Sequence, residues 1–185
     1  MTQVKTDSSI EENTFSVLSG NIINLASIAA DQHKKNVVLV HGCNCQHAMG
    51  ALAGEIAHYF PQAEKADFMT PVNDRKKLGS YSQAEAITAK GNKWIIVNAY
   101  TQYNGGRVAN TSELEETIAK VFHQIAKDFP PNQTIIYYPQ IGAGVAGGNW
   151  AAIHPRIKKA LSDHEQVLVE FDGTAVKSQL LTAPL

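Results

Sequence analysis

Cysteine is scarce. The chain has two in 185 residues, Cys43 and Cys45. A C-x-C pair makes no disulfide framework, and bridging positions that close is strained. Long apolar runs are missing as well. The purely apolar stretches span only a few residues, against the roughly 20 needed to cross a bilayer. Charge of one sign is missing too. The formal net charge is −1 with the histidines neutral, so no basic field gathers nucleic acid in bulk. An anionic ligand would have to be held locally, by backbone N–H groups and dipoles. The 13 Gly and 7 Pro show no period that would mark a fibre. At 44% hydrophobic and 18% charged, the chain is too apolar for disorder. The opening MTQVKTDSSIEENT holds no apolar core of a secretory signal. A reducing, cytoplasmic setting with no membrane contact is therefore expected.

What is present suffices for one domain. A chain of this length can remove about 70% of its unfolded surface from water. Residues 1–14 read as a loose polar leader, 15–172 as the domain and 173–185 as a tail in which no element is read. FSVLSG is a short strand closed by Gly20, and NIINLASIAADQHKK holds a short helix. VVLVH, 37–41, is a continuous β-branched run and so a buried strand. GCNCQHAMG, 42–50, reads as a loop, and LAGEIAHYFP as a helix stopped by Pro61. SYSQAEAI and KWIIVNAY flank the turn AKGN and predict an antiparallel hairpin. The spacing of Leu114, Ile118, Val121, Phe122, Ile125 and Phe129 predicts a helix over 112–129. Ser112 and Glu115 are read as its capping box, and Pro130 with Pro131 as its end. TIIYYP is a further buried strand and QVLVEF the last one. Between them WAAIHPRIKKAL is a helix expected to kink or restart at Pro155. The order β-α-β-α-β-β-α-β-α-β predicts an α/β protein, a three-layer α/β/α sandwich around a mixed, mostly parallel sheet.

Two loops carry the candidate chemistry. Gly142, Ala143, Gly144, Val145, Ala146, Gly147 and Gly148 lie between a strand and a helix, with Asn149 as a predicted N-cap. Repeated glycines let a backbone approach its ligand and turn N–H groups toward it, and the helix N-terminus adds positive potential. A phosphate or diphosphate fits there without a lysine. The run also matches G-x-G-x-x-G, but in the last βαβ unit a dinucleotide fold has no room to follow. A glycine turn serving helix–sheet packing alone is the plainer alternative.

The other loop follows the buried strand as His41, Gly42, Cys43, Asn44, Cys45, Gln46 and His47. His41 reads as a proton carrier near neutrality or as a hydrogen-bonded core histidine. Asn44 offers donor and acceptor to a ribose hydroxyl. His41, Cys43, Cys45 and His47 are zinc-ligand types, but ligands spaced by two are hard to wrap around one tetrahedral ion. The cysteines are better read as small buried hydrophobes and His47 as a solvated loop residue. No metal and no cofactor is expected.

Taken in order, Gly20, Asn21 and Ile22, then VVLVHGCNC with Met49 and Gly50, then VNAYTQYNGG, then YPQIGAGVAGGNW resemble the macro domain family. The resemblance runs from about Phe15 to Phe171 and points to the ADP-ribose 1″-phosphate phosphatase subgroup. It implies a macro fold that binds ADP-ribose in a cleft at the strand ends. It implies that Asn21, with Ile22, reads adenine and that Phe171 covers the adenine face. Asn44 with Met49, Gly50 and Ala51 would wrap the distal ribose. The residues Gly142, Ala143, Gly144, Val145, Ala146 and Gly147 would cradle the diphosphate. His41 would be catalytic, with Asn44 beside it. The implied partners are ADP-ribose, ADP-ribose 1″-phosphate or ADP-ribosylated protein; the implied reaction is release of phosphate from the 1″ ester. A plain binding module and a hydrolase that frees ADP-ribose from modified macromolecules are the alternatives. The chain departs from the family pattern at Leu52 and Gly54, where Gly-x-Gly-Ile-Ala is usual. Ala146 stands where glutamate-linked ADP-ribose hydrolases carry Asp. TQYNGGRVANT holds no carboxylate to pair with His41.

Overall fold

The structure is a computed structural model that describes residues 15–182. The leader read at 1–14 and the last tail residues, 183–185, lie outside the described residues. The elements are β1 (Phe15–Ser19), α1 (Ile22–Gln32), β2 (Asn36–Asn44), α2 (Ala51–Tyr59), α3 (Pro61–Phe68), β3 (Tyr81–Ile87), β4 (Lys93–Gln102), α4 (Thr111–Asp128), β5 (Thr134–Tyr138), α5 (Trp150–Ala160) and β6 (Glu165–Glu170). The predicted order stands, with α3 added. Pro61 does not end the helical region. It sits in the first turn of α3, where its missing N–H would have had no partner anyway.

The six strands lie in the order β1-β6-β5-β2-β4-β3. Neighbours are parallel except in the β3–β4 hairpin. Side chains alternate across a strand, and β2 shows why every position from Val37 to Val40 is apolar. Val38 and Val40 pack with Leu114, Ile118 and Ile153 of α4 and α5. Val37 and Leu39 pack with Ile23, Ala26 and Ile56 of α1 and α2. The result is the expected three-layer sandwich.

Three local expectations need correction. The cap of α4 is Asn110, whose side chain accepts from the Glu113 N–H, so Ser112 lies inside the helix. Asn110 holds the extended backbone an N-cap requires, and such a cap contributes about 1 kcal/mol. Next, α5 runs unbroken through Pro155 under the Asn149 cap. Ile153 and Ile157, fully buried on either side of that proline, hold both halves against one core. Finally, β2 does not stop at His41. Its ladder with β4 continues through His41↔Asn98, Gly42↔Ala99 and Cys43↔Tyr100 before shifting register at Asn44↔Gln102. Pairing with a long neighbour outweighs the local glycine and asparagine signals.

The tail set apart by sequence at residue 173 is docked on the domain through residue 182. Asn21 and Asn24 of the α1 region donate to the carbonyls of Thr174 and Ala175. Leu181 then bridges to Thr88 beside the β3–β4 turn. No helix among the described residues is long and apolar enough to cross a membrane.

The topology also places a crevice. β2 and β5 are neighbours, yet β2 leads to α2 on one face and β5 to α5 on the other. Where adjacent strands send their connections to opposite faces, a gap opens past the carboxyl ends.

Candidate functional site

Two lobes occupy that gap. One, of 350 Å³, is bounded by the end of β2 from His41 to Asn44, the β4 end at Thr101 and Gln102, and the glycine loop. The other, of 560 Å³, is bounded by Gly20, Asn21, Ile22, Glu170 and Phe171. Ala51, Leu52, Pro139, Gln140 and Gly144 line both, so the lobes are two ends of one cleft. Ala51 holds φ +48°, a left-handed conformation that costs a residue with a Cβ on the order of 1 kcal/mol. One strained residue therefore sits where the lobes meet.

At the floor of the first lobe His41 is fully buried. Its Nε2 lies 2.7 Å from Asn98 Oδ1. The Asn98 amide nitrogen donates to Ala63 O and Ser82 Oγ, which makes its oxygen the acceptor toward the ring. Nε2 therefore carries the proton, and Nδ1 is the basic atom, 3.8 Å from Cys43 Sγ. Burial holds the imidazole down to a pKa of about 4, against the opposing pull of Asn98 and the negative Asp67. His41 is neutral at neutral pH.

Behind it lies a buried polar chain. Ser82 meets the Tyr100 hydroxyl at 2.9 Å, and Tyr100 donates to Asp67 at 2.8 Å. Lys77 Nζ is 3.7 Å from the same carboxylate and lies over the Tyr100 ring. His47 is not a solvated loop residue. It is packed edge-on to Phe68, with Nε2 3.3 Å from Thr70 Oγ1. Burial raises the Cys43 and Cys45 thiols above their usual range, so both stay protonated. Among the described residues no three His, Cys, Asp or Glu side chains converge to hold a metal.

Asn44 is 9% exposed and organises the turn that follows it. Its Oδ1 accepts from the N–H groups of Gln46 and Ala48, and its Nδ2 donates to Ala48 O. Gly50 and Ala51 then open α2 at the cleft wall. Met49 is turned inward instead, against Cys43, Cys45, Ala53 and Tyr100.

The glycine loop divides by purpose. Gly142 has φ +78°, and a Cβ there would lie 2.6 Å from Ile118 Cδ1. A Cβ on Gly148 would meet the Gly142 carbonyl at 2.6 Å. These two serve packing against α4 and α5, as the plainer alternative held. Gly147 lies beneath the Arg107 side chain and outside both lobes. Gly144 differs, since a Cβ there would meet nothing within 4 Å. Ala143 lines the second lobe, and Val145 and Ala146 the first. Among the described residues the N–H groups of Gly144, Val145 and Ala146 have no hydrogen-bond partner. Ala143 and Gly147, on either side, donate to Gln140 O and Gly144 O.

In the second lobe Phe171 is 72% exposed. Asn21 is buried and already caps α1 by accepting from the Ile23 N–H while donating to Thr174. Ile22 lines the lobe beside it. Sequence reasoning missed Asn98, Asp67, Tyr100 and Lys77. Asn98 alone left a signal, a polar residue within an otherwise apolar strand.

No protein-family model matches the chain. A protein of Enterobacteria phage T4, described as an uncharacterized 17.5 kDa protein in the tk-vs intergenic region, is 35% identical over 139 residues, which is 72% of this chain and 86% of the phage protein. Among solved structures, the macrodomain of Mycobacterium tuberculosis DarG superposes with a TM-score of 0.63 at 19% identity, over 85% of this chain and 97% of that one. The chain belongs to the family of the phage protein and has the macrodomain fold. Thermosipho africanus DarTG, solved in complex with ADP-ribose, is similar in fold: its TM-score is 0.52 at 14% identity, over 80% of this chain and 41% of that one. In this macrodomain the cleft, the glycine loop and the buried histidine all lie at the carboxyl edge of the sheet.

Proposed function

We propose that this macrodomain binds ADP-ribose along the cleft and hydrolyses ADP-ribose 1″-phosphate to ADP-ribose and phosphate. One observation carries the reading. Among the described residues the N–H groups of Gly144, at the junction of the two lobes, and of Val145 and Ala146 beside it have no partner. Consecutive unpaired N–H groups suit an anion, and a diphosphate bridging two lobes suits this position. The similarity in fold to a protein solved with ADP-ribose supports the same ligand.

The larger lobe then takes adenosine. Phe171 covers the base, Ile22 forms the wall, and Asn21 Oδ1 keeps a second lone pair for the adenine amine. The smaller lobe takes the distal ribose, against the turn that Asn44 organises with Gly50 and Ala51. Water attacks phosphorus, the bond from phosphorus to the C1″ oxygen breaks, and that oxygen takes a proton as ADP-ribose leaves. His41 serves as the proton carrier through Nδ1. A phosphate dianion beside it raises its low pKa toward the working range.

Calorimetry with ADP-ribose tests the cleft, and phosphate release from ADP-ribose 1″-phosphate tests the reaction. Wild type should be active and His41→Ala inactive with ADP-ribose affinity kept. The full burial of His41 favours a second reading, a binding module without catalysis. Binding of ADP-ribose by a wild type that releases no phosphate would select it.

A further inference from the structure

The first lobe does not end at the β4 carboxyl edge. Thr101 and Gln102 also line a third pocket, of 260 Å³, with Arg75, Tyr103, Arg107 and Glu113. Its two arginines differ. Arg75 is engaged: its guanidinium bonds Glu113 at 2.9 Å and lies over the Tyr103 ring. Arg107 has no hydrogen bond and no ion pair among the described residues. Yet it is held in place. Val108 N–H donates to Ala146 O at 3.0 Å, pinning its loop to the glycine loop. The Arg107 guanidinium carbon lies 3.2 Å from where a Cβ on Gly147 would be. With Glu113 cancelled by Arg75, the pocket keeps one uncompensated positive charge against the loop that lines the ribose lobe.

We propose that a phosphate carried on C1″ of the distal ribose sits where this pocket meets the first lobe at Thr101 and Gln102, between His41 and Arg107, and that Arg107 is the residue that distinguishes the phosphorylated from the free nucleotide sugar. The inference rests on the ADP-ribose reading of the cleft and adds the feature that reading lacks, a counter-charge for the terminal phosphate. A guanidinium matches a phosphoryl group in charge and in paired N–H geometry. The first lobe itself offers no basic side chain besides His41, which is neutral. Arg107 meets the pocket through a long side chain from an exposed loop, so its removal leaves the fold and the diphosphate site intact.

The test compares two ligands on the full chain. Calorimetry gives the Kd of ADP-ribose. For ADP-ribose 1″-phosphate, KM for phosphate release is read, or Kd where no release occurs. Arg107→Ala should weaken the phosphorylated ligand about tenfold and leave ADP-ribose unchanged, in line with loss of one charge-assisted bond. Arg107→Lys should recover part of that loss. The salt dependence of the phosphorylated ligand should flatten in Arg107→Ala alone. Equal weakening of both ligands would assign Arg107 a purely structural role under the glycine loop and overturn the proposal. No change in either would overturn it as well. If wild type binds neither nucleotide sugar, the reading of the cleft falls first. If it binds ADP-ribose but Arg107→Ala does not alter preference, only this inference falls.

Discussion

At the His41 end of the cleft the polar side chains are already engaged. His41 is fixed by Asn98, Asn98 by Ala63 and Ser82, and Asn44 by its own turn. At the Phe171 end the aromatic ring is uncommitted, 72% exposed, although Asn21 beside it already caps α1. Where the two ends meet, Val145 is 69% exposed, and the N–H groups of Gly144, Val145 and Ala146 have no partner among the described residues. The glycine loop repeats the contrast over a few residues, with Gly142 pressed on Ile118 and Gly144 facing open space. Groups used twice, for folding and for ligand, should cost stability when removed. Groups used only for ligand should cost affinity alone.

The largest expected effect separates the two glycines. Gly144→Val places a side chain where the diphosphate would lie, at a backbone φ outside the left-handed region. ADP-ribose affinity should fall about a hundredfold or more, roughly 3 kcal/mol, with the urea midpoint unchanged. Gly142→Val puts a branched side chain at φ +78° and against Ile118 Cδ1. It should lower stability by about 3 kcal/mol or more. Equal stability loss in both variants would erase the distinction.

The next effect belongs to the buried end and is read against pH. Unfolded, His41 takes up a proton as pH falls below 6.5; folded, burial delays that to about 4. The unfolded state therefore binds more protons over that window, and stability is lost as pH falls from 6.5 to about 4. The loss from this group approaches about 3 kcal/mol and stops growing below pH 4. His41→Gln keeps a donor for Asn98 and does not titrate, so its unfolding curve should lack this part of the acid slope. Parallel curves for variant and wild type would show that His41 is not held neutral by the fold.

Asn44→Ala should come third. It strands the N–H groups of Gln46 and Ala48 and the Ala48 carbonyl in a partly buried turn. The expected loss is about 2 kcal/mol of stability with weaker ADP-ribose binding alongside. A binding loss with no change in stability would move Asn44 to the ligand-only class.

The same contrast explains what was legible in the sequence. The layers were readable because β2 is apolar at every position from Val37 to Val40 and α4 carries a helical stripe, and burial leaves its mark in residue type. The glycine loop was readable because backbone demands exclude most side chains. The division within it was not, since Gly142 and Gly144 are the same letter and only the backbone turn and the packing against Ile118 tell them apart. Asn98 needed the register that sets it opposite His41. Asp67 lay on α3, hidden behind a proline that starts a helix rather than stopping one. Asn21 carried no trace of Thr174, its partner 153 residues away.

The smallest effect tests the open end most directly. Phe171 follows β6, is 72% exposed, and lines the larger lobe. Its removal should leave the urea midpoint within experimental error of wild type. Stacking of an aromatic ring on a base contributes about 1–3 kcal/mol, and an exposed ring belongs at the lower end. Phe171→Ala should therefore weaken ADP-ribose about tenfold, and Phe171→Trp should restore or exceed the original affinity. Ribose 5-phosphate, which has no base, should bind both variants and wild type alike. If that baseless ligand also weakens in Phe171→Ala, the ring supports the cleft wall rather than the adenine, and the open end is not free of structural duty.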